Sequence, residues 1–147
     1  MTIKAESNRL RTGRHSQSGQ VYLVTLVTKD RQAIFSDFSA ARCVVRTLLE
    51  EERMDRAITW SYVLMPDHLH WLMQLGETVN LSQCVQGIKS MVSRQLGKAV
   101  WQTGFHDRAM RKEDDLPNVA RYIVANPLRA GLVRKLGEYP HWDAIWL

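Results

Sequence analysis

Two histidines separated by a single residue are the feature of this chain most suited to chemistry. His68 and His70 lie in segment 60–73, where Pro66-Asp67 divides two short runs rich in aromatic and branched residues. This pattern predicts a β-hairpin, because Pro fixes φ and Asp tolerates the corner of a turn. Side chains alternate across a strand, so both imidazoles should face one side, close enough to share a cation. The pair is a candidate metal site, and the alternative is a pair of hydrogen-bonded structural histidines.

A helix near the C-terminus carries the second candidate group. Segment 116–127 predicts a short helix with Pro117 in its first turn and Pro127 at its end. Its predicted core-facing positions are Leu116, Val119, Ala120, Ile123 and Val124. At about 100° per residue, Tyr122 and Asn126 lie about 40° apart and off the centre of that apolar stripe. The alternatives are a packing role for Tyr122 and a helix-ending role for Asn126 before Pro127.

Hydrophobic periodicity places these two groups in an alternation of strands and helices. The predicted elements are a strand at 21–28, a helix at about 38–54, the hairpin, a helix at about 80–97, a strand within 100–111 and the Tyr122 helix. The order βαββαβα predicts an α+β fold with a ferredoxin-like βαββαβ antiparallel sheet. An additional C-terminal helix then carries the tyrosine.

The two long helices are predicted to be amphipathic. Inward positions expected in the first are Phe38, Ala41, Val44, Val45, Leu48 and Leu49. Those expected in the second are Leu81, Cys84, Val85, Ile88, Met91, Val92 and Leu96. Lys89, Arg94 and Lys98 fall outside that second stripe, so they are expected to be exposed.

Composition agrees with a compact basic domain. The 147 residues, 45% of them hydrophobic, suit one domain over 1–147 with a sizeable core. Twenty Lys and Arg against fifteen acidic residues give a net charge of +5, which is compatible with a phosphate-rich partner. No membrane-spanning run or leader is evident, so a cytoplasmic protein is expected. Cys43 and Cys84 lack metal-type spacing and are expected to be reduced core thiols.

Three segments, in this order and spacing, resemble the REP-associated tyrosine transposases. They are 62–70 (YVLMPDHLH), 101–105 (WQTGF) and 122–133 (YIVANPLRAGLV). This family belongs to the single-tyrosine HUH nucleases, in which U is a bulky apolar residue, here Leu69. The resemblance extends from about Gly19 to the C-terminus. Asp67 departs from the Asn that many relatives have before the first histidine, at a turn position that bears no ligand.

The resemblance implies a reaction and a substrate. Tyr122 would be the nucleophile, and His68, His70 and Asn126 would hold a divalent cation, Mg²⁺ or Mn²⁺. The substrate would be single-stranded DNA carrying repetitive extragenic palindromes (REP) that fold into hairpins. It would be cut and rejoined through a covalent 5′-phosphotyrosine. A phenol suits this role because it is a more acidic nucleophile and a better later leaving group than a serine hydroxyl.

Two groups of basic residues are candidate DNA contacts. Residues 1–19 are expected to form a basic arm, in which Arg9, Arg11 and Arg14 are candidates for reading bases or clamping the foot of the hairpin. The alternative is a solvated terminus. Lys89, Arg94 and Lys98 are either contacts to the DNA backbone or the hydrated side of a helix.

Two functions of other classes remain open. One is a hairpin-binding protein without cleavage, against which the intact histidine pair and Tyr122 argue. The other is a small zinc hydrolase that uses His68, His70 and His106 with water as the nucleophile. His106 follows Phe105 on a predicted strand, where a structural or DNA-contacting histidine is expected. Trp101 and Phe105 are expected in the core rather than stacked on bases. The sequence leaves a monomer and a homodimer equally open.

Overall fold

The computed structural model of the chain describes residues 17–111 and 114–144. Its strands are β1 (Val21–Val27), β2 (Ala57–Met65), β3 (His68–Leu75), β4 (His106–Ala109) and β5 (Trp142–Ala144). Its α-helices are α1 (Phe38–Arg53), α2 (Leu81–Leu96), α3 (Leu116–Val124) and α4 (Asn126–Arg129). All strand pairs are antiparallel and the order is β4-β1-β3-β2-β5. The α+β fold with a βαββαβ order and a C-terminal helix is confirmed, and β5 adds an edge strand that the sequence did not predict.

Side-chain caps define the ends of the two long helices. The Asp37 carboxylate accepts a hydrogen bond from the Ser39 amide at the start of α1. Asn80 and Gln83 form a reciprocal capping box at the start of α2. Gly97 ends that helix at φ 70°, a left-handed conformation that favours glycine. Both helices therefore lie within one residue of their predicted bounds.

The main core lies between the sheet and the α1–α2 pair. Its fully buried side chains include Val24, Leu26, Leu64, Leu69, Trp71, Met73, Val44 and Ile88. These sheet residues occupy alternate positions along their strands, as expected for one covered face. The other residues of the same strands face the opposite side, where a smaller cluster packs beneath α3.

Two of the predicted inward positions on α1 are wrong. Phe38 is 60% exposed and Leu49 is 58% exposed. The helix instead buries its other flank, which includes Cys43, Thr47 and Glu51. That flank meets α2, where Cys43 Sγ donates to Gln95 Oε1 at 2.9 Å. Contact with α2 thus rotates the buried stripe away from Phe38 and Leu49.

The fourth strand is shorter than the predicted 100–111. Trp101 forms only an isolated antiparallel bridge with Thr28, and the chain then turns through Gly104 at φ 77° before β4 begins. Trp101 packs against the main core and Phe105 is buried within it. The expectation that both aromatic residues belong to the core is confirmed.

The expected exposure of Lys89 is also wrong. Its side chain is 9% exposed, and Nζ donates to the carbonyl oxygens of Gln102 at 2.8 Å and Gly104 at 2.7 Å. A buried ammonium is tolerated because it has these acceptors. Lys89 therefore joins α2 to the turn before β4, and it is not on the exposed surface that a DNA-backbone contact requires.

Both cysteines are buried, unpaired thiols, as the sequence predicted. Burial is the main cause that raises the pKa of Cys84 to about 12, and it also raises the pKa of Cys43. Such thiols are poor nucleophiles because little thiolate is present. Among the described residues, no helix is long and apolar enough to span a membrane.

Candidate active site on the open face of the sheet

Strand β3 directs both histidines to the face opposite α1 and α2. Leu69 and Trp71 are fully buried in the main core, whereas His68 and His70 alternate with them and are only partly buried. The two imidazole centroids lie 4.7 Å apart with their rings edge to face. The predicted sharing of one face by His68 and His70 is confirmed.

The turn before His68 is held by the loop that follows β1. Met65 pairs with His68, so Pro66 and Asp67 form a two-residue connection. The Thr28 amide donates to the Asp67 carbonyl at 2.9 Å, and the Thr28 hydroxyl lies 3.1 Å from the same oxygen and 2.8 Å from the Gln32 carbonyl. The Phe35 amide donates to the Pro66 carbonyl at 2.9 Å. Both turn carbonyls are satisfied, which fixes where the histidine strand begins.

Each histidine has a hydrogen-bond partner that orients its ring. His68 Nδ1 lies 2.7 Å from Asp67 Oδ1, and Asp67 Oδ2 accepts from Arg31 Nη1 at 3.0 Å. His70 Nδ1 lies 3.1 Å from Thr25 Oγ1 on the neighbouring strand. Because Nδ1 of each ring makes these contacts, Nε2 is the atom left to bind a cation. A carboxylate partner of this kind orients metal-binding histidines in other proteins.

The electrostatic surroundings favour a neutral His70 beside an ionised Asp67. Burial, followed by the charges of His68 and Arg129, lowers the pKa of His70 to about 4. Burial opposes ionisation of Asp67, but its hydrogen bonds with His68 and Arg31 and their charges lower its pKa overall. At neutral pH, His70 is therefore in the form that binds metal ions.

Helix α3 packs on β2, the strand that pairs with the histidine strand β3. Its buried residues Ala120, Ile123 and Val124 form a cluster with Val63 and Met65 of β2. Val63 and Met65 are the cross-strand partners of His70 and His68, respectively. The sheet residues beneath α3 are thus the immediate neighbours of the two histidines.

A β-bulge at Trp60 makes this packing possible. Thr59 pairs with Met73 but Ser61 pairs with Leu72, so Trp60 is an extra residue in β2. The insertion reverses the alternation and turns Ser61, and Val63 two residues later, towards α3. Ser61 Oγ then donates to the Ala120 carbonyl at 3.3 Å.

Tyr122 projects into solvent from α3. Its side chain is 67% exposed, so it does not have the packing role that was the alternative. The guanidinium carbon of Arg129 lies 3.7 Å from the centroid of the Tyr122 ring. Arg129 Nη1 also donates to the Tyr122 carbonyl at 2.6 Å. The side chain and the backbone of Tyr122 are therefore held by one arginine.

The end of this helix differs from the prediction. Helix α3 ends at Val124, and Pro127 lies in the first turn of α4 rather than ending a helix. Proline is tolerated there because the first amides of a helix lack intrahelical partners. The second short helix brings Arg129 nearly two turns after Tyr122, on the same side. Asn126 is the first residue of α4 and is partly buried.

His106 shares the histidine face but stands apart from the pair. Thr25 pairs with His106 on one side and with His70 on the other. His106 is two strands from His70, or roughly 10 Å at the usual strand spacing. Within 17–111 and 114–144, no three His, Cys, Asp or Glu side chains come together to hold a metal ion. The geometry therefore does not favour the three-histidine zinc site.

The remaining candidate DNA contacts lie away from the histidines or outside the described residues. Arg94 and Lys98 are exposed at the end of α2, on the other face of the sheet. Arg9, Arg11 and Arg14 lie outside the described residues.

Sequence reasoning missed the residues that orient the site. They are Thr25, Arg31, Arg129 and the carboxylate of Asp67. Arg129 had a usable signal, because it lies seven residues after Tyr122 in a helical segment. Arg31 had none, since its approach to Asp67 depends on positive φ at both Asp30 (56°) and Arg31 (52°).

Two named relatives are similar in sequence to much of this chain. A Haemophilus influenzae protein that carries the name REP-associated tyrosine transposase is 28% identical over 141 residues, covering 84% of this chain and 78% of the relative. The REP-associated tyrosine transposase of Escherichia coli K12 is 29% identical over 83 residues, covering 54% of this chain and 50% of the relative.

Solved structures share the fold. A REP-associated tyrosine transposase bound to a REP hairpin has a TM-score of 0.76 at 22% identity, covering 88% of this chain and 79% of that chain. A protein from Deinococcus radiodurans, described as a transposase, has a TM-score of 0.55 at 18% identity. The match covers 76% of this chain and 93% of that chain. Residues 16–126 match the sequence model of the family described as IS200-like transposases. This range includes His68, His70, Tyr122 and Asn126. The chain therefore belongs to the IS200-like transposase family.

Proposed function

We propose that this transposase cleaves and rejoins single-stranded DNA beside REP-type palindromic hairpins, and that Tyr122 forms a covalent link to the 5′ phosphate. One observation carries the proposal: an exposed tyrosine lies on a helix packed against the β2 partners of His70 and His68. The names of the relatives, and the hairpin in the similar solved structure, support the choice of substrate.

The proposed reaction conserves the energy of the broken bond. The phenolic oxygen of Tyr122 attacks phosphorus, and the bond from phosphorus to the 3′ oxygen breaks. The phenolic proton leaves to solvent, and the departing 3′ oxygen takes up a proton. A free 3′ hydroxyl later attacks the phosphotyrosine, which restores the phosphodiester and releases the phenol. No nucleotide cofactor is needed, because each step exchanges one phosphoester for another.

His68, His70 and Asn126 are proposed to hold Mg²⁺ or Mn²⁺. The two imidazoles lie side by side, and Asp67 and Thr25 each contact an Nδ1 atom, so two nitrogen donors are already oriented. The amide of Asn126 adds an oxygen donor of the kind that both ions accept. When bound, such an ion polarises the scissile phosphate and stabilises charge on the departing oxygen.

The open side of the histidine face provides a path for the substrate strand. Helix α3 packs on β2 and β5, so it covers this face only in part. Towards the other edge, Thr25 and His106 are partly buried and Arg108 is exposed. Arg108 follows His106 by two residues on β4 and shares its face. A single strand that crosses here reaches His70 past Arg108, whose Nη1 also lies 3.7 Å from Asp114 Oδ2. Arg9, Arg11 and Arg14 remain proposed contacts for the hairpin foot.

The test uses a single strand that contains a REP hairpin, labelled at its 3′ end. With Mg²⁺ or Mn²⁺, the label should migrate with the denatured protein, because the 3′ fragment carries the 5′ phosphate. Tyr122→Phe should lose this adduct but keep its hairpin affinity, since the ring and its Arg129 contact remain. Binding without cleavage would instead indicate a binding protein, and cleavage without an adduct a hydrolase. An undiminished adduct in Tyr122→Phe would refute the assignment.

A further inference from the structure

Arg129 contacts both the ring and the backbone of the proposed nucleophile, Tyr122. Its guanidinium stacks over the Tyr122 ring at 3.7 Å and donates to the Tyr122 carbonyl at 2.6 Å. Through these two contacts, one cation on α4 binds both the side chain and the backbone of Tyr122 on α3.

We propose that Arg129 holds the Tyr122 ring in its attacking orientation and contacts the non-bridging oxygens of the phosphate that Tyr122 attacks. This assignment rests on the proposed function and adds a residue to it. Arg129 acts through Tyr122 as a positioning residue, and it touches the substrate through its own N–H groups.

The geometry of a guanidinium allows it to do both. It is planar, so it can lie over an aromatic ring while its N–H donors point outward in the plane of the guanidinium. Among the described residues, one of its five donors has a hydrogen-bond partner, the Tyr122 carbonyl. The side chain is exposed. The other donors are therefore available to phosphate oxygens, which a guanidinium binds in pairs.

Stacking also limits the freedom of an exposed side chain. A tyrosine that is 67% exposed samples several rotamers unless something holds it. A cation held over the ring favours one orientation of the Tyr122 side chain. The side chain is therefore already ordered before DNA binds. An attacking group that is already oriented reacts faster, because less conformational freedom is lost in the transition state.

Arg121 provides a matched control on the same helix. It is also exposed, and it directly precedes Tyr122 in the chain. Its Nη1 donates to Asn118 Oδ1 at 3.0 Å, within α3 and without contact to the tyrosine ring. Arg121→Ala removes the same charge from the residue next to Tyr122, so it separates a change in local charge from the specific contact of Arg129.

The test measures the single-turnover rate of adduct formation at saturating hairpin DNA, together with DNA affinity and thermal unfolding. Arg129→Ala should slow adduct formation on the order of a hundredfold, as for loss of a donor to transition-state charge. Arg129→Lys should fall between, because it keeps the charge but not the planar stack. Arg121→Ala should stay near the wild-type rate. Free guanidinium ion, far below denaturing concentrations, should restore part of the rate in Arg129→Ala alone.

Each outcome decides the assignment. A wild-type rate in folded Arg129→Ala, an equal loss in Arg121→Ala, or a loss that guanidinium does not relieve would overturn it. If Arg129→Ala does not fold, a wild-type rate in Arg129→Lys would overturn it equally. Absence of any adduct in the wild-type protein would instead refute the proposed function. The two failures are therefore distinguishable.

Discussion

The two faces of the sheet are built from the same strands but differ in what covers them. On β3, Leu69 and Trp71 are fully buried beneath α1 and α2, whereas His68 and His70 between them remain partly exposed. On β2, the bulge at Trp60 aligns the second face with a single short helix. Successive side chains of a strand point to opposite faces of the sheet. One strand can therefore place core residues on one face and reactive residues on the other.

The side chains on the two faces contribute differently to the free energy of unfolding. Each large apolar side chain buried under α1 and α2 contributes about 1.5–3 kcal/mol. The polar groups on the histidine face contribute less to stability, because their hydrogen bonds replace bonds to water. Apolar substitutions on the first face should therefore change the free energy of unfolding, and substitutions of the polar groups on the second face should change activity.

Removing either histidine should have the largest effect. His68→Ala and His70→Ala should each abolish cleavage and leave the midpoint of thermal unfolding nearly unchanged. Asn126→Ala should reduce cleavage less, since two ligands and water still hold the cation in part. Cleavage assays with and without EDTA measure this, and EDTA should mimic the histidine variants. Full cleavage in EDTA would exclude the metal-dependent mechanism.

Truncating the core face should reduce stability instead. Trp71→Ala should lower the free energy of unfolding by about 3–5 kcal/mol, because it leaves a cavity among packed side chains. Leu49→Ala is the matched control on α1, where the 58% exposed side chain should cost little. Urea denaturation gives both values. Equal losses for the two variants would contradict the described rotation of α1.

Substitution of the buried Lys89 tests whether this residue stabilises the fold or contacts DNA. Lys89→Met should lower the free energy of unfolding by about 1–3 kcal/mol, because two carbonyls lose their donor. Lys98→Ala, at an exposed position, should leave stability unchanged. Thermal unfolding and DNA affinity at two salt concentrations test this pair. A fully stable Lys89→Met variant with weaker DNA binding would restore the original prediction of a DNA-backbone contact.

Loss of the exposed Arg31–Asp67 ion pair should have the smallest effect, a small fall in metal affinity. Arg31→Ala removes an exposed ion pair with Asp67, which is worth about 0–1 kcal/mol. Metal affinity should therefore fall by no more than about fivefold. Titration with Mn²⁺ measures the change, with Asp67→Ala as the comparison, for which about 10- to 100-fold is expected. An Arg31 effect as large as that of Asp67 would show that the arginine itself orients His68.

Local sequence predicts features that depend on near neighbours. The hairpin follows from Pro66-Asp67 between apolar runs, and the extent of α2 follows from the helical spacing of its apolar residues. The shared face of the two histidines follows from strand alternation alone. The exposure of Tyr122 follows from its place off the apolar stripe of α3. Each needs only the spacing of residues along one element.

Features set by distant partners escape such reasoning. The buried flank of α1 is chosen by contact with α2, which the spacing within α1 does not encode. The burial of Lys89 depends on carbonyls supplied by the turn at Gln102 and Gly104. Strand β5 has three residues, too few for a periodic pattern. Thr25 orients His70 only because β1 and β3 pair in a particular register.

Identification of the residue joined to DNA tests the central claim most directly. The peptide that trypsin releases between Arg121 and Arg129, residues 122–129, has Tyr122 as its one hydroxyl-bearing side chain. After reaction with hairpin DNA and a divalent cation, nuclease and trypsin digestion should leave a nucleotide 5′ phosphate on this peptide, visible by mass spectrometry. Cleaved DNA with an unmodified 122–129 peptide, or with the nucleotide on another peptide, would contradict the account.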